Sequence, residues 1–426
     1  MNRIVIEDVR VMNNRLECYY TVHGDWNRYF KDISSFFAEY AKPIDSVPKS
    51  IAVIPFLCNV LPLVWVFDGE VILEELDLEF YESIEAFKQG YINMYPKVSF
   101  QGRITPKKLV DNGQEDMHHT AAFFSGGVDA YHTLISHMEE NPILVTLWGA
   151  DITFEDQVGW RLVDQHITRV AAQNNLEYIS IKTSFRRFLE EGALSNLAYQ
   201  LSEDNWWYGY QHGIGIIGHM APLAYQYKIR TVYIASSLTA EDNTTCASDP
   251  TIDNHVRFCG AQVVHDGYEY SRQDKTNRIG EYVKRIGKPI QLRVCWESEG
   301  GSNCCHCEKC YRTILCLLAG GNDPRDYGFL YSDLEFGDIM KDFKTRYHFL
   351  DSSYIPVYQD IQNTMRKTYT FEELSPSLLW FYKADLKREL SEQKRLLYRL
   401  LRKGKNMMKK LYIPYEESSL QEEHQD

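Results

Sequence analysis

Apolar and polar positions alternate along residues 3–12 and again along 15–22, with Asn13-Asn14 between the two runs. Alternation of period two puts one face of each run toward a core, and a two-residue break rich in Asn predicts a β-hairpin. Residues 51–67 are nearly continuous in apolar character but carry Pro55, Asn59 and Pro62. They predict buried strand or core, too short and too interrupted to satisfy a backbone inside a bilayer. Val71-Ile72-Leu73 follows, and then Ile84, Phe87 and Tyr91 recur at helical spacing within 83–95,. The first 115 residues therefore read as a small α+β domain.

From residue 120 the pattern changes. Strand-like runs at 120–124, 143–147, 177–181 and 231–235 alternate with helical stretches at 128–139, within 156–174 and at 214–227. Such alternation builds βαβ units, hence an open parallel α/β sheet whose ligands bind beyond the carboxyl ends of the strands. After residue 325 the chain is aromatic and charged with weak periodicity up to Ser375-Pro376, and 379–411 predicts a long basic helix,. The expected layout is an α+β domain at 1–115, an α/β domain at 116–325, a mainly helical region at 326–415 and a disordered acidic tail at 416–426.

Composition narrows the function classes. Hydrophobic residues make up 44% and charged residues 25%, a balance that suits a folded protein rather than a disordered one,. The net charge of −13 repels nucleic acid and anionic lipid wherever no local basic patch overrides it,. No apolar segment follows Met1 before Glu7 and Asp8, so no secretory signal is expected and the cytoplasm is the expected compartment,. Of the ten cysteines, Cys295, Cys304, Cys305, Cys307, Cys310 and Cys316 are clustered, which favours a metal site over a dispersed disulfide framework,.

The first α/β strand runs straight into Ser125-Gly126-Gly127-Val128-Asp129-Ala130 and then a helix. Two glycines allow a tight turn whose amides converge, and a helix N-terminus adds positive potential, so a phosphate could sit against Ser125, Gly126 and Gly127. Asp129 could hold Mg²⁺ or cap the turn; an ordinary strand-to-helix turn is the plain alternative. The glycines of Gly213-Ile214-Gly215-Ile216-Ile217-Gly218 match a dinucleotide motif only as letters, because no strand precedes them; they suit close helix packing,.

Cys295 is followed by eight residues and then Cys304-x-x-Cys307-x-x-Cys310. Four thiolates from a strand end, a loop and a helix start satisfy the tetrahedral shell of structural Zn²⁺. An iron-sulfur cluster also takes four cysteines, but the Pro that commonly follows the last of them is absent after Cys310,.

Asp242 lies in an acidic loop beyond the strand at 231–235, where it could serve Mg²⁺ and substrate,. Arg272, Lys275 and Arg278 recur every three residues at a helix opening, a row able to meet a triphosphate or merely to form surface ion pairs,. His212 and His219 share a helical face and are expected to be satisfied by hydrogen bonds,. Lys383, Lys387, Arg388, Lys394, Arg395, Arg399, Arg402, Lys403, Lys405, Lys409 and Lys410 interleave with leucines; packing on the acidic body is the simpler reading,.

Ser125-Gly126-Gly127-Val128-Asp129 after a hydrophobic strand resembles the SGGxDS pyrophosphate loop of the PP-loop ATP pyrophosphatases, with Ala130 where that family has a final Ser. The resemblance implies an adenine-nucleotide α-hydrolase (HUP, Rossmann-like) fold that binds ATP. The spacing of Cys295, Cys304, Cys307 and Cys310 is similar to the zinc site of 7-cyano-7-deazaguanine synthases, and this likeness covers 118 to about 322. By the resemblance, Ser125, Gly126, Gly127, Val128 and Asp129 hold the nucleotide and Lys275 neutralises phosphate; Asp129 and, from its place in the acidic loop, Asp242 are the residues expected to place Mg²⁺. The expected enzyme adenylates a carboxylate or carbonyl oxygen of a small acid or modified base, releasing pyrophosphate for ligase or amide and nitrile chemistry. The chain also looks like carboxylate-adenylating epimerases of muramoyl-peptide glutamate. A zinc-stabilised nucleotide-binding scaffold is the alternative from another class, and a homodimer is left open.

Overall fold

The computed structural model describes residues 2–31, 35–242, 244–295, 297, 302–390, 396–397 and 399–401. The expected hairpin forms as β1 (Arg3–Met12) and β2 (Arg15–His23), antiparallel with Met12 opposite Arg15. Asn13 supplies the positive φ of 53° that the turn needs, a conformation Asn tolerates better than most residues,. Nine further strands follow: β3 (Ser35–Tyr40), β4 (Glu70–Asp77), β5 (Arg103–Val110), β6 (His119–Phe123), β7 (Ile143–Trp148), β8 (Tyr178–Thr183), β9 (Ile229–Ala235), β10 (Arg257–Phe258) and β11 (Ala261–Asp266).

All eleven form one sheet in the order β10-β11-β9-β6-β7-β8-β3-β2-β1-β4-β5. Its middle section, β11-β9-β6-β7-β8, is parallel throughout. From β6 the chain steps outward through β7 and β8, then crosses back to lay β9 on the other side of β6. That reversal makes a switch point at the carboxyl ends of β6 and β9, the place where open α/β sheets bind their ligands,. The segments 1–115 and 116–325 are not joined end to end. Instead β3 pairs antiparallel with β8, Ala38 opposite Thr183 and Tyr40 opposite Ile181, so both segments share one sheet within the unit that ends at Leu330.

Residues 51–67 are helical rather than strand. Lys49–Ala52 and Ile54–Val66 form two helices, and from Ile54 to Trp65 every residue of the second is buried. A helix apolar on all sides carries no 3.6-residue periodicity, which is why its pattern is ambiguous in the sequence. Its polar Asn59 is satisfied inside, donating to Pro55 O and accepting from Gln211 Nε2, both at 2.8 Å. A Cβ on Gly218 would come 2.7 Å from Cys58 Cβ, and one on Gly215 2.8 Å from Asn59 Oδ1. The glycine-rich stretch therefore packs helices Ile54–Val66 and His212–Ile217 closely, as its lack of a preceding strand suggested.

A second unit begins at Tyr331. Helices Asp333–Tyr347 and Tyr354–Thr368 pack Phe343, Tyr347 and Tyr358 into one aromatic cluster with Phe381. The continuous helix expected from 379 is interrupted: Leu379–Lys383 ends, Asp385 accepts from Arg388 N, and a new turn runs Leu386–Glu389. Gln362 Nε2 takes the carbonyls of Phe381 and Ala384 that the break leaves open. Lys394, Arg395, Arg402, Lys403, Lys405, Lys409, Lys410 and the tail 416–426 lie outside the described residues. Among the described residues no helix is long and apolar enough to cross a membrane.

Candidate functional site

β6 delivers the chain to this switch point through Phe124, whose N–H donates to Val145 O at 2.8 Å. Ser125 is exposed, Gly126 adopts φ +78°, and Gly127 stands at the start of helix Val128–Ser136 with no side chain capping its free N–H groups. Gly127 N donates to Ser125 Oγ at 3.4 Å. The turn requires glycine at 126 twice over, for its positive φ and because a Cβ would sit 2.8 Å from His166 Nε2,. Val128 is buried and anchors the helix, and Ala130 also points inward, 5% exposed.

Asp129, in the first helical turn, meets two cations: Arg272 Nη2 at 2.8 Å and Lys275 Nζ at 3.4 Å. Both come from helix Arg272–Ile286, which starts at a Ser271/Asp274 capping box and projects positions 272 and 275 on one face,. Lys275 is 2% exposed and also donates to Ser236 O at 2.7 Å, tying this cluster to the residue that follows β9. Burial would raise the Asp129 carboxyl, but Arg272, Lys275 and Arg312 hold it below its ordinary value,. Burial lowers Lys275, with Asp129 opposing. Arg278, the third of the row, turns away to His132 Nε2 at 3.1 Å and stacks on Tyr270.

Three cations that no motif marked reach the same place. Arg293 N donates to Gly126 O at 2.7 Å, and Arg293 Nε donates to Ser125 O at 3.1 Å. Lys309 lies within electrostatic reach of Asp129, Arg272 and Arg312, and burial lowers its pKa. Arg272, Lys275, Arg293, Lys309 and Arg312 thus gather around the turn, interleaved with the carboxylates of Asp129, Asp151 and Glu308. Asp242 does not join Asp129: its Oδ2 accepts from Thr239 N at 2.7 Å and from Thr239 Oγ1 at 3.1 Å, closing a turn in its own loop. His166, which packs against Gly126, also lines a cavity of about 370 Å³ together with Tyr131, Arg169, Gln173, Gln291, Asn303 and others.

The four predicted cysteines come together. The ligand atoms of Cys295, Cys304, Cys307 and Cys310 lie within 4.8 Å of one another, the one such group of three or more His, Cys, Asp or Glu among the described residues. Sγ of Cys295 and Cys307 are 3.8 Å apart, and Sγ of Cys304 and Cys310 are 3.9 Å apart. A tetrahedron with Zn–S bonds of about 2.3 Å has edges of about 3.8 Å, so the cluster could hold a metal ion such as zinc. Cys307 caps helix Glu308–Ala319 by accepting from Cys310 N, and His306 N donates to Cys304 Sγ. Hydrogen bonding from Cys310 pulls the Cys307 thiol down to about 5, while burial pushes Cys304 up to about 11. Cys305, at φ +59°, turns its sulfur toward Asn303 O and Leu330 O, and Cys316 is buried in the helix; neither belongs to the four. Comparison with family models, curated proteins and solved structures finds no match to the chain.

Proposed function

We propose that this chain is an ATP-dependent adenylating enzyme of the PP-loop type, acting on a carboxylate or carbonyl oxygen of a small acid or modified base. One observation carries the reading: the uncapped Ser125–Gly127 turn sits at the sheet's switch point with Arg272 and Lys275 gathered at Asp129. A triphosphate offers what that group lacks, a mobile polyanion to share the cations.

The substrate oxygen bonds to the α-phosphorus, the bond to the bridging oxygen of the β-phosphate breaks, and pyrophosphate leaves with the electron pair. Ser125 Oγ and the amides of Gly126 and Gly127 take the departing oxygens, and Lys275 and Arg272 offset the charge that develops there. Asp129 keeps both cations aimed at the loop. Magnesium, the usual escort of ATP, would be held by the phosphates and Asp129; Asp242 would need its loop to open. The cysteine site, when it holds zinc, supplies rigidity rather than chemistry, since all four of its ligand positions are protein.

The test is equilibrium binding of MgATP combined with pyrophosphate release across a panel of carboxylic acids. Binding with acid-dependent release is expected. Binding without release across the panel would favour the nucleotide-sensing scaffold, to which the Ala130 methyl in place of a hydroxyl also points. No binding would end both readings.

A further inference from the structure

Cys246, in the loop that follows β9, meets His212, the first residue of helix His212–Ile217. Cys246 Sγ is 3.7 Å from His212 Nδ1. Cys246 is 4% exposed, and His212 is half-buried.

The fold fixes this pair from several sides. His212 leaves a π-helical turn, Trp207–Gln211, a geometry that redirects side chains and recurs at functional sites,. Ala247 N donates to Tyr208 O at 2.8 Å, clamping the residue after Cys246 to that same turn. The residue after His212 is Gly213, where a Cβ would come 2.5 Å from Asp253 Oδ1 and 2.7 Å from Ala247 O. Beneath them Asp253 is fully buried. Its Oδ2 accepts from Ser248 Oγ and pairs with His265 Nδ1, each at 2.8 Å, whereas its Oδ1 is buried without a hydrogen-bond partner against Gly213. An unpartnered buried carboxylate oxygen is costly, and here it lies within electrostatic reach of both Cys246 and His212,. A nucleophile beside a base, held by a rigid layer behind it, is the arrangement of covalent catalysis.

Packing connects the pair to the loop after β7: Trp207, its ring 5.0 Å from that of His212, lies under Arg186, which donates to Ala150 O at 3.3 Å. Lys309 is within electrostatic reach of His212 on one side and of Asp129, Arg272 and Arg312 on the other. Asp151, in the loop after β7, bears on His212, Lys309 and Arg293 alike.

We propose that Cys246, with His212 as its base, accepts the acyl group from the adenylate and holds it as a thioester; this rests on the adenylation reading above. The Cys246 sulfur bonds to the carbonyl carbon while its proton passes to His212 Nδ1. The bond from that carbon to the AMP oxygen breaks, and AMP leaves with the electron pair. A primary amine then bonds to the carbon and loses its surplus proton to solvent. The carbon–sulfur bond breaks, and the sulfur takes its proton back from His212. Burial pushes the resting thiol up to about 12 and lowers His212; a buried thiol is a poor nucleophile until a base takes its proton, the part His212 plays at 3.7 Å,.

The probe is p-nitrophenyl acetate, which acylates activated thiols without ATP. The full chain with its metal bound should release a stoichiometric burst of p-nitrophenolate, and peptide mapping should find the acetyl group on Cys246. Cys246→Ser and His212→Asn should each slow the burst by about tenfold or more with unchanged circular dichroism. No burst, acetyl groups on other cysteines only, or normal bursts in both variants would overturn the proposal. Wild-type MgATP binding is measured alongside: a burst without nucleotide binding removes the adenylation reading, and binding without a burst removes the thioester.

Discussion

Arg293 and Gly126, far apart in the chain, are joined by a backbone hydrogen bond of 2.7 Å from Arg293 N to Gly126 O. Arg293 stands two residues before Cys295, so the segment that ends in the first cysteine of the cluster is stitched to the Ser125–Gly127 turn. Metal occupancy and loop geometry should therefore be coupled. Zinc at one per chain is expected by elemental analysis, and a chelator strong enough to remove it should weaken MgATP binding at temperatures where far-ultraviolet circular dichroism is unchanged. Unaltered affinity in the metal-free chain would show that the two sites are independent.

Gly126→Ala should be more damaging than a methyl group suggests. It places an L side chain at φ +78° and drives Cβ to 2.8 Å from His166 Nε2. A loss of about 1–2 kcal/mol is expected in denaturant titrations, with loss of nucleotide binding. Adding His166→Ala should recover the steric part and leave the backbone part.

Lys275→Met removes the donor to Ser236 O and leaves Asp129 with Arg272 as its remaining direct cation partner. Because Lys275 is buried, the expected cost is about 1–3 kcal/mol in unfolding free energy. MgATP affinity should fall roughly tenfold or more, since a cation facing phosphate is lost with it. Calorimetry on the variant checks both. An affinity equal to wild type would place Lys275 in the structure alone.

Stability should fall as pH drops from 7 toward 5. Burial holds His132, His166 and His219 each down to about 4, against an ordinary value of 6.5. Between those values the unfolded chain binds more protons than the folded one, so folding weakens as pH falls through that window, by about 1.4 kcal/mol per pH unit for each such group. His219 is the cleanest test, with Nδ1 donating to Gly215 O and Nε2 2.8 Å from Thr183 Oγ1. His219→Gln should show a shallower decline between urea titrations at pH 7 and pH 5, and an identical decline would assign the effect elsewhere.

The legible parts of this chain are those whose physics is local. Alternation around Asn13-Asn14 forces a hairpin whatever lies beyond it. Ser125-Gly126-Gly127 needs only its neighbouring strand and helix to become a tight turn, and three of the four cysteines lie within one loop and one helical turn, so spacing alone predicts their meeting. The helix at Ile54–Val66 escaped because burial on every side erases the periodicity that distinguishes helix from strand.

The tertiary structure decided which distant groups meet. Pairing of β3 with β8 merges the two expected domains into one sheet, a choice made by edge hydrogen bonds between segments far apart in sequence. The crossover to β9 brings Ser236 to Lys275, and the loop before Cys295 brings Arg293 to Gly126; nothing in either local pattern encodes those encounters. Asp129 and Asp242 both follow a strand of the parallel sheet, yet one gathers cations while the other closes its own turn. Side-chain chemistry is written residue by residue, but its neighbours depend on chain topology, and topology is settled by the burial of the whole core rather than by any one motif.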